Sequence, residues 1–562
     1  MLVILDDGPR RVFCKPLALI TAEHPSQVPA ALAAVQTALD QGHLVAGWLG
    51  YELGYALEPR LAGPQVPGPL LRLGVFGPPS EEAPPTVGRA YAGPLRPEWK
   101  AGDYESRFAR VKDYIAAGDI YQANLSFRAR FAFAGDPRAL YERLRSQSGA
   151  AHCAFVDTYA EEGGPRILSL SPELFFDLTG DGRITVRPMK GTLARQGDDE
   201  AERAALAASE KNRAENLMIV DLIRNDLSRI AERGSVEVSD LFQVETYPTL
   251  HTMVSTVTAQ KRADAGIADV LRALFPCGSV TGAPKIRAME ILRALESSPR
   301  GAYCGAIGAF YPDGSARFNV AIRTLSVWGD EGELGIGGGV VQDSSAVSEY
   351  AECLLKARFF EAARCPLELI ETLGWNGHFV RLDSHFARME NSALVFRLAF
   401  DRDAAQAALE KAVTGKPGPL RVRLTLNETG KHDATAHDLA ANPPHWTYAI
   451  SPERTDSKDM FLRHKTSWRE LYEHEVKRLG TDEVIFVNER GELTEGARSN
   501  IFIARGDILL TPPLEAGVLD GRLRAELIAQ GKAREAHLTM DDLAGEVYFG
   551  NSLRGLIAAK PV

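Results

Sequence analysis

The sequence predicts a protein of mixed α and β structure with two domains. Its composition is typical of globular proteins, with 45% hydrophobic and 25% charged residues in 562. Long segments of helical periodicity occupy the first part. After a break near residues 362–367, strands and helices alternate to the end. The length leaves room for three or four domains' worth of chain.

Helix and strand patterns can be followed along the first part. Residues 26–39 predict a helix, and residues 44–55 predict a strand ending in a glycine-rich turn. Residues 77–99 are rich in Pro and Gly and predict a surface connection, after which helical spacing resumes at 104–117. The longest helical pattern covers residues 199–233, with an apolar stripe of Leu217, Val220, Ile223, Leu227 and Ile230.

A domain boundary is predicted where helical spacing stops near Cys365-Pro366. A helix at 347–363 follows Ser344 and Ser345, which are good N-cap residues, and the strand LELIETL begins after Pro366. We therefore expect domains at 1–364 and 367–562. Within the first, residues 1–85 form a less distinctive part, and residues 100–364 form the part that carries the chemistry.

The composition argues against several classes of function. No stretch approaches the roughly 18 apolar residues of a membrane span, and the N-terminus lacks the basic start and long apolar run of a signal peptide. The net charge is −10 and no basic face is evident, which argues against nucleic acid as a partner. The six cysteines have no metal-type spacing, so we expect free thiols in a cytoplasmic protein.

Four glutamates form the first group with chemical potential. Glu215 lies on the long predicted helix, Glu349 and Glu352 share a face of the later helix, and Glu173 begins a strand. Carboxylates from two helices suit Mg²⁺, which binds oxygen ligands and bridges to anionic substrates. Lysines four residues from Glu215 and Glu352 leave an alternative open, that these are surface salt bridges.

Two glycine-rich segments and one arginine add to this group. Residues 337–339 are three glycines before the Glu349 helix, and residues 275–285 form a glycine-rich turn that leads into another helix. Such segments let backbone N–H groups approach an anion closely, although many are only turns. Arg323 lies among apolar residues and needs an anionic partner, such as a substrate carboxylate.

Residues 1–364 resemble the chorismate-utilising enzymes, which include anthranilate, aminodeoxychorismate, isochorismate and salicylate synthases. The matching segments follow the family's order and are SPE (171–173), PMKGT (188–192), RAENLMIVDLIRNDL (213–227), HTMVS (251–255), FPCGSVTGAPK (275–285), YCGAIG (303–308), AIRT (321–324) and GGGVVQDS (337–344). The resemblance implies an α+β fold, with an antiparallel sheet core wrapped by helices, and chorismate as the substrate.

The resemblance also implies a role for each matching residue. Glu215 and Glu352, with Glu349 close by, are similar to the family's Mg²⁺ ligands. Glu173 is similar to the general acid that protonates the departing 4-hydroxyl. The residues that would bind or line the substrate pocket are Arg323, Tyr303, Gly339, Thr192, Gly282 and His251.

Lys190 distinguishes among members of this family. Anthranilate, isochorismate and salicylate synthases carry a small residue at this position, whereas aminodeoxychorismate synthases carry lysine. A deprotonated Lys190 can attack ring carbon 2 as the 4-hydroxyl leaves, and ammonia can then add at carbon 4 and expel the lysine. Gln122 agrees with this interpretation, because isochorismate synthases need a lysine there as a base for water.

Residues 367–562 resemble the fold-type-IV pyridoxal-phosphate enzymes, which have a two-subdomain α/β fold and are usually dimers. Lys465 is similar to the Schiff-base lysine, and Glu495 to the partner of the pyridinium nitrogen. Arg388 is similar to the phosphate-binding arginine, with the amides of Val518 and Leu519 and with Ser552 completing the phosphate site. The segments IETL (370–373) and NSLRG (551–555) favour aminodeoxychorismate lyase over the aminotransferases.

Together the two resemblances imply synthesis of 4-aminobenzoate for folate, by amination of chorismate and then loss of pyruvate. No cysteine–histidine–glutamate glutaminase module is evident, so we expect free ammonia or a separate glutamine amidotransferase subunit as the nitrogen source. One alternative is an anthranilate-synthase-like first half with an aminotransferase second half. Another is a scaffold without activity that only binds a glutaminase.

Overall fold

The computed structural model describes residues 1–61, 66–86, 88–158, 163–195, 197–246 and 250–562, and only the backbone of Thr192, Ala194 and Leu250. The chain forms two compact units. The first contains Met1–Pro85, Leu95–Phe131 and Tyr141–Ala363. The second contains Arg364–Val562 together with two earlier segments, Thr86–Pro94 and Ala132–Leu140.

Strands β1 to β20 occur in the first 363 residues. They are β1 (Leu2–Asp6), β2 (Arg11–Cys14), β3 (Ala18–Ala22), β4 (Leu44–Leu49), β5 (Leu71–Phe76), β6 (Ala90–Ala92), β7 (Arg96–Pro97), β8 (Gln122–Gly135), β9 (His152–Asp157), β10 (Arg166–Ser171), β11 (Leu174–Leu178), β12 (Arg183–Val186), β13 (Met189–Ala194), β14 (Glu237–Thr246), β15 (Leu250–Gln260), β16 (Gly282–Ala283), β17 (Ala306–Phe310), β18 (Ala316–Val320), β19 (Thr324–Trp328) and β20 (Glu331–Val340).

These strands form two large sheets. One has the order β16-β8-β20-β19-β10-β9-β1-β2, with β6 and β7 also paired to β8. The other has the order β13-β15-β12-β11-β18-β17-β4-β5-β3, with β14 paired to β15, and each of its pairs is antiparallel. The predicted α+β class with an antiparallel core is confirmed.

Ten helices accompany these strands in the described ranges. They are α1 (Val28–Asp40), α2 (Leu53–Leu57), α3 (Ala101–Ala116), α4 (Pro137–Ser148), α5 (Asp199–Ala208), α6 (Glu210–Ser228), α7 (Ile267–Leu274), α8 (Lys285–Leu295), α9 (Ala346–Lys356) and α10 (Arg358–Ala363). The largest apolar core of the first unit joins side chains of α1, α6 and α7 to those of the second sheet. This core supports α6, which carries Glu215.

The prediction of one continuous helix at 199–233 is wrong. The chain is extended at Ser209, where α5 has ended and the hydroxyl accepts from the Asn212 N–H to cap α6. Leu217 was expected in the buried stripe but is 44% exposed, and Ile219 is buried instead. The helix predicted at 347–363 is likewise two helices, which meet at Ala357.

Residues 77–99 are more than a surface connection. They include β6 and β7, and the Tyr91 side chain in β6 is fully buried. β6 pairs with residues 133–135 of β8, and both segments belong to the second unit. The composition predicted a loop because the Pro and Gly residues flank a short strand whose own residues are apolar.

The second unit contains two further sheets. Their strands are β21 (Leu369–Trp375), β22 (Leu420–Leu426), β23 (His432–Asp438), β24 (Trp446–Thr455), β25 (Glu483–Asn488), β26 (Leu493–Gly496), β27 (Asn500–Arg505), β28 (Ile508–Thr511), β29 (Ala533–Glu535), β30 (Val547–Asn551) and β31 (Gly555–Pro561). The orders are β21-β22-β23 and β26-β25-β24-β31-β30-β27-β28-β29.

Four helices pack on these sheets in the described part of the unit. They are α11 (Leu382–Phe396), α12 (Arg402–Val413), α13 (Glu470–Leu479) and α14 (Arg522–Ala529). The smaller sheet shares an apolar core with α11, α12 and the early segments that contain Tyr91, Ala132 and Ala134. No helix in the described ranges has the length and apolar character needed to cross a membrane.

Candidate active sites

The first site is organised around Lys190, which lies on the edge strand β13. The side chain is partly buried, and in the described chain its amine has no hydrogen bond or ion pair. Burial lowers the pKa of Lys190, the charge of Glu215 opposes this, and Lys356 lowers the pKa further. A lysine in this setting is more readily deprotonated than one in water.

Gln122 and Gly339 lie beside the Lys190 amine. A Cβ atom on Gly339 would lie 3.4 Å from Lys190 Nζ and 3.0 Å from Gln122 Nε2. Gln122 is 1% exposed, and neither polar atom of its side chain has a partner. Because buried amides are normally hydrogen-bonded, these atoms suit a bound ligand or water. Gly282 packs against Gln122 from β16, and a Cβ there would lie 2.3 Å from the Gln122 carbonyl oxygen.

Glu173 is buried between β10 and β11, and its Oε1 has no partner. Burial raises the pKa of this carboxyl to about 7, although a hydrogen bond from Ser279 and the charge of Lys190 lower it. A carboxyl with a pKa near neutrality can donate a proton under physiological conditions. The structure therefore places a buried carboxyl with a raised pKa within the electrostatic reach of Lys190.

Arg323 is a partly buried guanidinium without a hydrogen-bonded or ionic partner in the described chain. Burial lowers its pKa, and its backbone has a φ of 50°, which is rare for a residue with a side chain. Tyr303 is 7% exposed and stacks against the Arg128 guanidinium, 5.1 Å from the ring centroid. Arg323 is thus an unsatisfied cation, whereas the Tyr303 ring is a packed core residue.

The three helical glutamates are divided between lysine and serine partners. Glu215 lies 3.9 Å from a lysine nitrogen, and Glu352, which is 53% exposed, lies 3.0 Å from another. Glu349 is buried and accepts a 2.7 Å hydrogen bond from Ser344. The salt bridges that the sequence spacing allowed as an alternative are therefore present at Glu215 and Glu352. The charges of Glu215 and Glu352 nevertheless act on Lys190, so both acids border its site.

The carboxylates would have to turn toward one another to share an ion. Among the described residues, the three side chains whose possible ligand atoms lie within 4.8 Å of one another are Asp199, Glu202 and His251. His251 is fully buried, with Nε2 lying 3.2 Å from Glu202 and 3.4 Å from Asp199. The described partners of this histidine are therefore two acids on α5 and the Thr246 hydroxyl, which lies 3.0 Å from Nδ1. The side chain of Thr192 lies outside the described residues.

The second site is organised around Lys465, in the segment that follows a 3₁₀ helix at Met460–Arg463. The side chain is partly buried, and its amine has no hydrogen bond or ion pair in the part of the chain that is described. The pKa of its amine is lowered to about 7, mainly by burial and also by the charges of Arg469 and Arg388. The charge of Glu495 opposes this lowering of the pKa. Half of such amines are neutral near physiological pH.

Glu495 is a buried acid near Lys465. Its two oxygens accept hydrogen bonds of 2.9 Å from the Tyr472 hydroxyl and from the Leu519 N–H. Burial raises its pKa to about 7, and these hydrogen bonds and neighbouring cations oppose the shift. The Leu519 amide, which the sequence assigned to phosphate binding together with the buried Val518, is engaged by this carboxylate.

Arg388 and Ser552 belong to one buried network. Arg388 donates to both oxygens of Glu371 at 2.8 and 2.6 Å, and to the Asp520 carbonyl oxygen at 2.8 Å. His385 bridges Glu371 and Ser552, at 2.6 and 2.8 Å. The pKa of Glu371 is about 2, because Arg388 and His385 outweigh the cost of burial. Arg388 is the arginine of this network, and arginine is well suited to bind phosphate.

Sequence reasoning missed Glu371 and Tyr472 as parts of this site. Glu371 interrupts the predicted apolar strand LELIETL, and a charge at such a position needs a buried partner. That signal could have identified Glu371, whereas Tyr472 carries no comparable signal. Its role depends on α13 packing on β25, and spacing along the sequence does not reveal this.

Comparisons with known proteins match the two regions of the chain in which these sites lie. Residues 69–362 match the chorismate binding enzyme family, and residues 368–562 match the amino-transferase class IV family. Aminodeoxychorismate synthase component 1 of Klebsiella aerogenes is 45% identical over 265 residues, which are 46% of this chain and 58% of that protein. Anthranilate synthase component 1 1 of Haloarcula marismortui is 40% identical over 293 residues, 51% of this chain and 58% of that protein.

A solved structure supports the fold of the first region. Anthranilate synthase component I from Streptococcus pneumoniae aligns with a TM-score of 0.54 at 24% identity, over 64% of this chain and 92% of that one. The chain spans 58% of the length of each of the two curated relatives. The matches confirm the predicted order of a chorismate-binding region followed by a class IV amino-transferase region. The chain belongs to the chorismate binding enzyme family and carries a class IV amino-transferase domain after it.

Proposed function

We propose that the first site adds ammonia to chorismate to give 4-amino-4-deoxychorismate, and that the second converts this product to 4-aminobenzoate and pyruvate. The observation that carries the proposal is the Lys190 amine, which is partly buried, unpaired in the described chain and lowered in pKa. A neutral lysine amine is a nucleophile, and the family members that use other nucleophiles lack a lysine at this position.

The amination proceeds in two balanced displacements. Lys190 Nζ bonds to ring carbon 2 while the 4-hydroxyl leaves, and Glu173 gives that hydroxyl the proton with which it departs as water. Ammonia then bonds to carbon 4, the bond between carbon 2 and Lys190 breaks, and one proton is lost. Glu173, with a pKa of about 7, holds a proton in a useful fraction of molecules at neutral pH.

Substrate binding rests on two unsatisfied groups of the first unit, the Gln122 amide beside Lys190 and the Arg323 guanidinium. Chorismate carries two carboxylates, and the Arg323 guanidinium offers an uncompensated cation. Gln122 offers an amide with both polar atoms unpaired. Binding a carboxylate would recover the free energy that the protein spends in burying Arg323 without a partner.

Magnesium is proposed as the metal of the first site. The donors Glu215, Glu352 and Glu349 are all carboxylates, which fits a hard cation. They would hold the ion, which would neutralise the ring carboxylate and stabilise charge that develops as the hydroxyl leaves. With a metal bound, Glu215 and Glu352 would exchange lysine partners at 3.9 and 3.0 Å for the ion.

The second site fits pyridoxal phosphate. Lys465 and Glu495 would hold the ring, and Arg388 and Ser552 the phosphate. When bound, the cofactor supplies an electron sink at the carbon that carries the amine. Lys465, with a pKa of about 7, is suited to take the proton from ring carbon 4. The bond from the ring to the enolpyruvyl oxygen then breaks and the ring becomes aromatic. The released enolpyruvate takes up one proton at its methylene carbon and becomes pyruvate.

Replacing Lys190 tests the proposal. With chorismate, Mg²⁺ and ammonium, the wild-type chain should form 4-aminobenzoate, and Lys190→Ala should form none. The variant should still convert added 4-amino-4-deoxychorismate at the wild-type rate. Lys100→Ala, at an exposed position, is the matched control. Anthranilate as the product, or undiminished 4-aminobenzoate from Lys190→Ala, would overturn the assignment.

The nitrogen source is proposed to be ammonia, either free or delivered by a separate glutamine amidotransferase. The sequence offers no cysteine–histidine–glutamate set for glutamine hydrolysis. Glutamine alone should therefore give no product, and ammonium or an added glutaminase should restore it. Product from glutamine alone with the purified chain would contradict this part of the proposal.

A further inference from the structure

Arg89 contacts both ends of the segment that carries Lys465. Its Nε lies 3.2 Å from Asp459 Oδ2, and its Nη1 donates a 3.2 Å hydrogen bond to the Trp468 carbonyl oxygen. Residues 459–468, here called the lysine segment, therefore have their first and last residues tied to one guanidinium. Arg89 lies far from these residues in the sequence but in the same compact unit.

The guanidinium also packs against aromatic rings of the lysine segment. Its central carbon lies 5.2 Å from the centroid of Phe461 and 5.8 Å from that of Trp468. Cations at such distances are attracted by the ring faces. Arg89 thus contacts the segment through an ion pair, a hydrogen bond and two rings, which is more than a solvent-facing arginine makes.

Strand β6 holds Arg89 in place. Tyr91 of β6 is fully buried, with its ring centroid 5.5 Å from Phe396 and 6.4 Å from Trp468. β6 pairs with the end of β8 at Gly135, where a Cβ atom would lie 2.9 Å from the Phe461 ring. This packing places Arg89, the residue before β6, beside the lysine segment.

Two further hydrogen bonds hold the lysine segment, and one of them is made by the backbone of Lys465. Asp459 uses Oδ1 to accept from the Phe461 N–H at the start of the 3₁₀ helix, and Oδ2 to bind Arg89. The Lys465 carbonyl oxygen accepts a 2.8 Å hydrogen bond from Ile370 in β21. The lysine segment is thus contacted by β21 at Lys465 and by Arg89 at its first and last residues.

We infer that Arg89 is a positioning residue for Lys465, so that a side chain from the early part of the sequence completes the second site. The inference rests on the proposed function insofar as Lys465 is the residue that takes up the cofactor. The contacts of Arg89 with the lysine segment can be tested without cofactor. Asp459→Asn should act in the same direction as a change at Arg89, because it removes the charge of the ion pair.

Hydrogen–deuterium exchange on the full-length, cofactor-free chain tests these contacts. In Arg89→Gln, peptides covering residues 459–468 should exchange about tenfold faster, as expected for the loss of a charged hydrogen bond. Arg89→Lys should lie between Arg89→Gln and the wild type. Peptides covering β13 should not change, nor should any peptide in Arg110→Gln, a control at an exposed position of α3. Unchanged exchange at 459–468 in Arg89→Gln would overturn the inference.

Cofactor binding separates positioning from simple stabilisation. Titration with pyridoxal phosphate, followed by visible absorbance across pH, should show about tenfold weaker binding in Arg89→Gln and partial recovery in Arg89→Lys. Faster exchange with unchanged affinity and pH dependence would reduce Arg89 to a structural residue and overturn the inference. If the wild type also fails to bind, the proposed function of the second site fails, and this is recognisable because wild type and variants behave alike.

Discussion

Each site pairs a partly buried lysine with a buried glutamate. Burial lowers the pKa of Lys190 and of Lys465, and it raises the pKa of Glu173 and Glu495 to about 7. Burial alone favours the neutral form of both partners, because neither charge is well solvated. A neutral amine can attack or accept a proton, and a neutral carboxyl can donate one. The same physical effect therefore suits both of the reactions proposed for these sites.

The raised pKa of Glu495 makes stability depend on pH. The folded chain holds this proton more tightly than the unfolded chain, whose carboxyl titrates near 4.5. The carboxyl therefore contributes stability that is complete below pH 4.5 and is lost as the pH rises through about 7. The shift corresponds to about 3 kcal/mol in the free energy of unfolding. Glu495→Gln should remove this contribution while keeping an acceptor for Leu519.

Chemical denaturation of the cofactor-free chain at pH 5 and pH 8 measures this effect. The wild type should lose about 2–3 kcal/mol more than Glu495→Gln between the two pH values, because part of the contribution is already lost at pH 5. Glu473→Gln, at an exposed position of α13, should follow the wild type. Identical pH dependence in wild type and Glu495→Gln would show that Glu495 titrates normally.

At this scale the sequence predicted individual residues better than their partners. Lys190, Lys465 and Glu495 carry strong motif signals, and the structure places each in a partly or fully buried position. The acids around His251 and the bidentate contact of Arg388 with Glu371 were not predicted. Such pairs join residues from different helices and strands, so they depend on packing that spacing along the chain does not specify.

Among the elements, β16 and β8 determine how close Gln122 lies to Lys190. Gly282 has a φ of 155°, and a Cβ there would lie 2.3 Å from the Gln122 carbonyl oxygen. Gly282→Ala must push the two strands apart and displace Gln122. We expect amination to fall about a hundredfold, the effect of roughly a 1 Å misplacement, while elimination from added 4-amino-4-deoxychorismate is unchanged.

Gly102→Ala is the control for this prediction. Gly102 lies in α3, where an added Cβ meets nothing within 4 Å, so both reactions should proceed at wild-type rates. Assaying the two steps separately distinguishes a local change from loss of the whole fold. Normal amination in Gly282→Ala would mean that the spacing between β16 and β8 does not matter for the first site.

Element boundaries were less predictable than element types. The strand at 369–375 and the helices α1 and α3 lie where periodicity placed them, within a few residues. Ser209 divides the long helix because its hydroxyl caps α6. Serine is tolerated inside helices and is also a good cap, so the sequence alone does not decide between these outcomes. The short strand β6 was missed because its three residues are too few for a period.

For the whole molecule, the sequence did not predict that two early segments, Thr86–Pro94 and Ala132–Leu140, belong to the second unit. Tyr91, Ala132 and Ala134 share an apolar core with Phe386, Phe396 and Phe461. Tyr91→Ala should remove about 3–5 kcal/mol from the second unit, as large aromatic truncations do. The elimination activity should therefore be lost at a lower temperature than in the wild type. The amination activity should be lost at the same temperature as in the wild type.

Tyr91→Phe should behave as the wild type, because it keeps the ring that packs on Phe396 and Trp468. The measurement is residual activity of each step after heating at a series of temperatures. Equal losses for both steps in Tyr91→Ala would contradict the assignment of β6 to the second unit's core.

The proposed amination depends on covalent participation of Lys190, and peptide mass analysis tests this most directly. The full-length chain is mixed with chorismate and Mg²⁺ without ammonium, quenched, digested and mapped. We expect the peptide containing Lys190 to gain the mass of chorismate less one water, and ammonium to remove this addition. Formation of 4-aminobenzoate at the full rate with no addition at Lys190, or with the addition on another residue, would contradict this proposal.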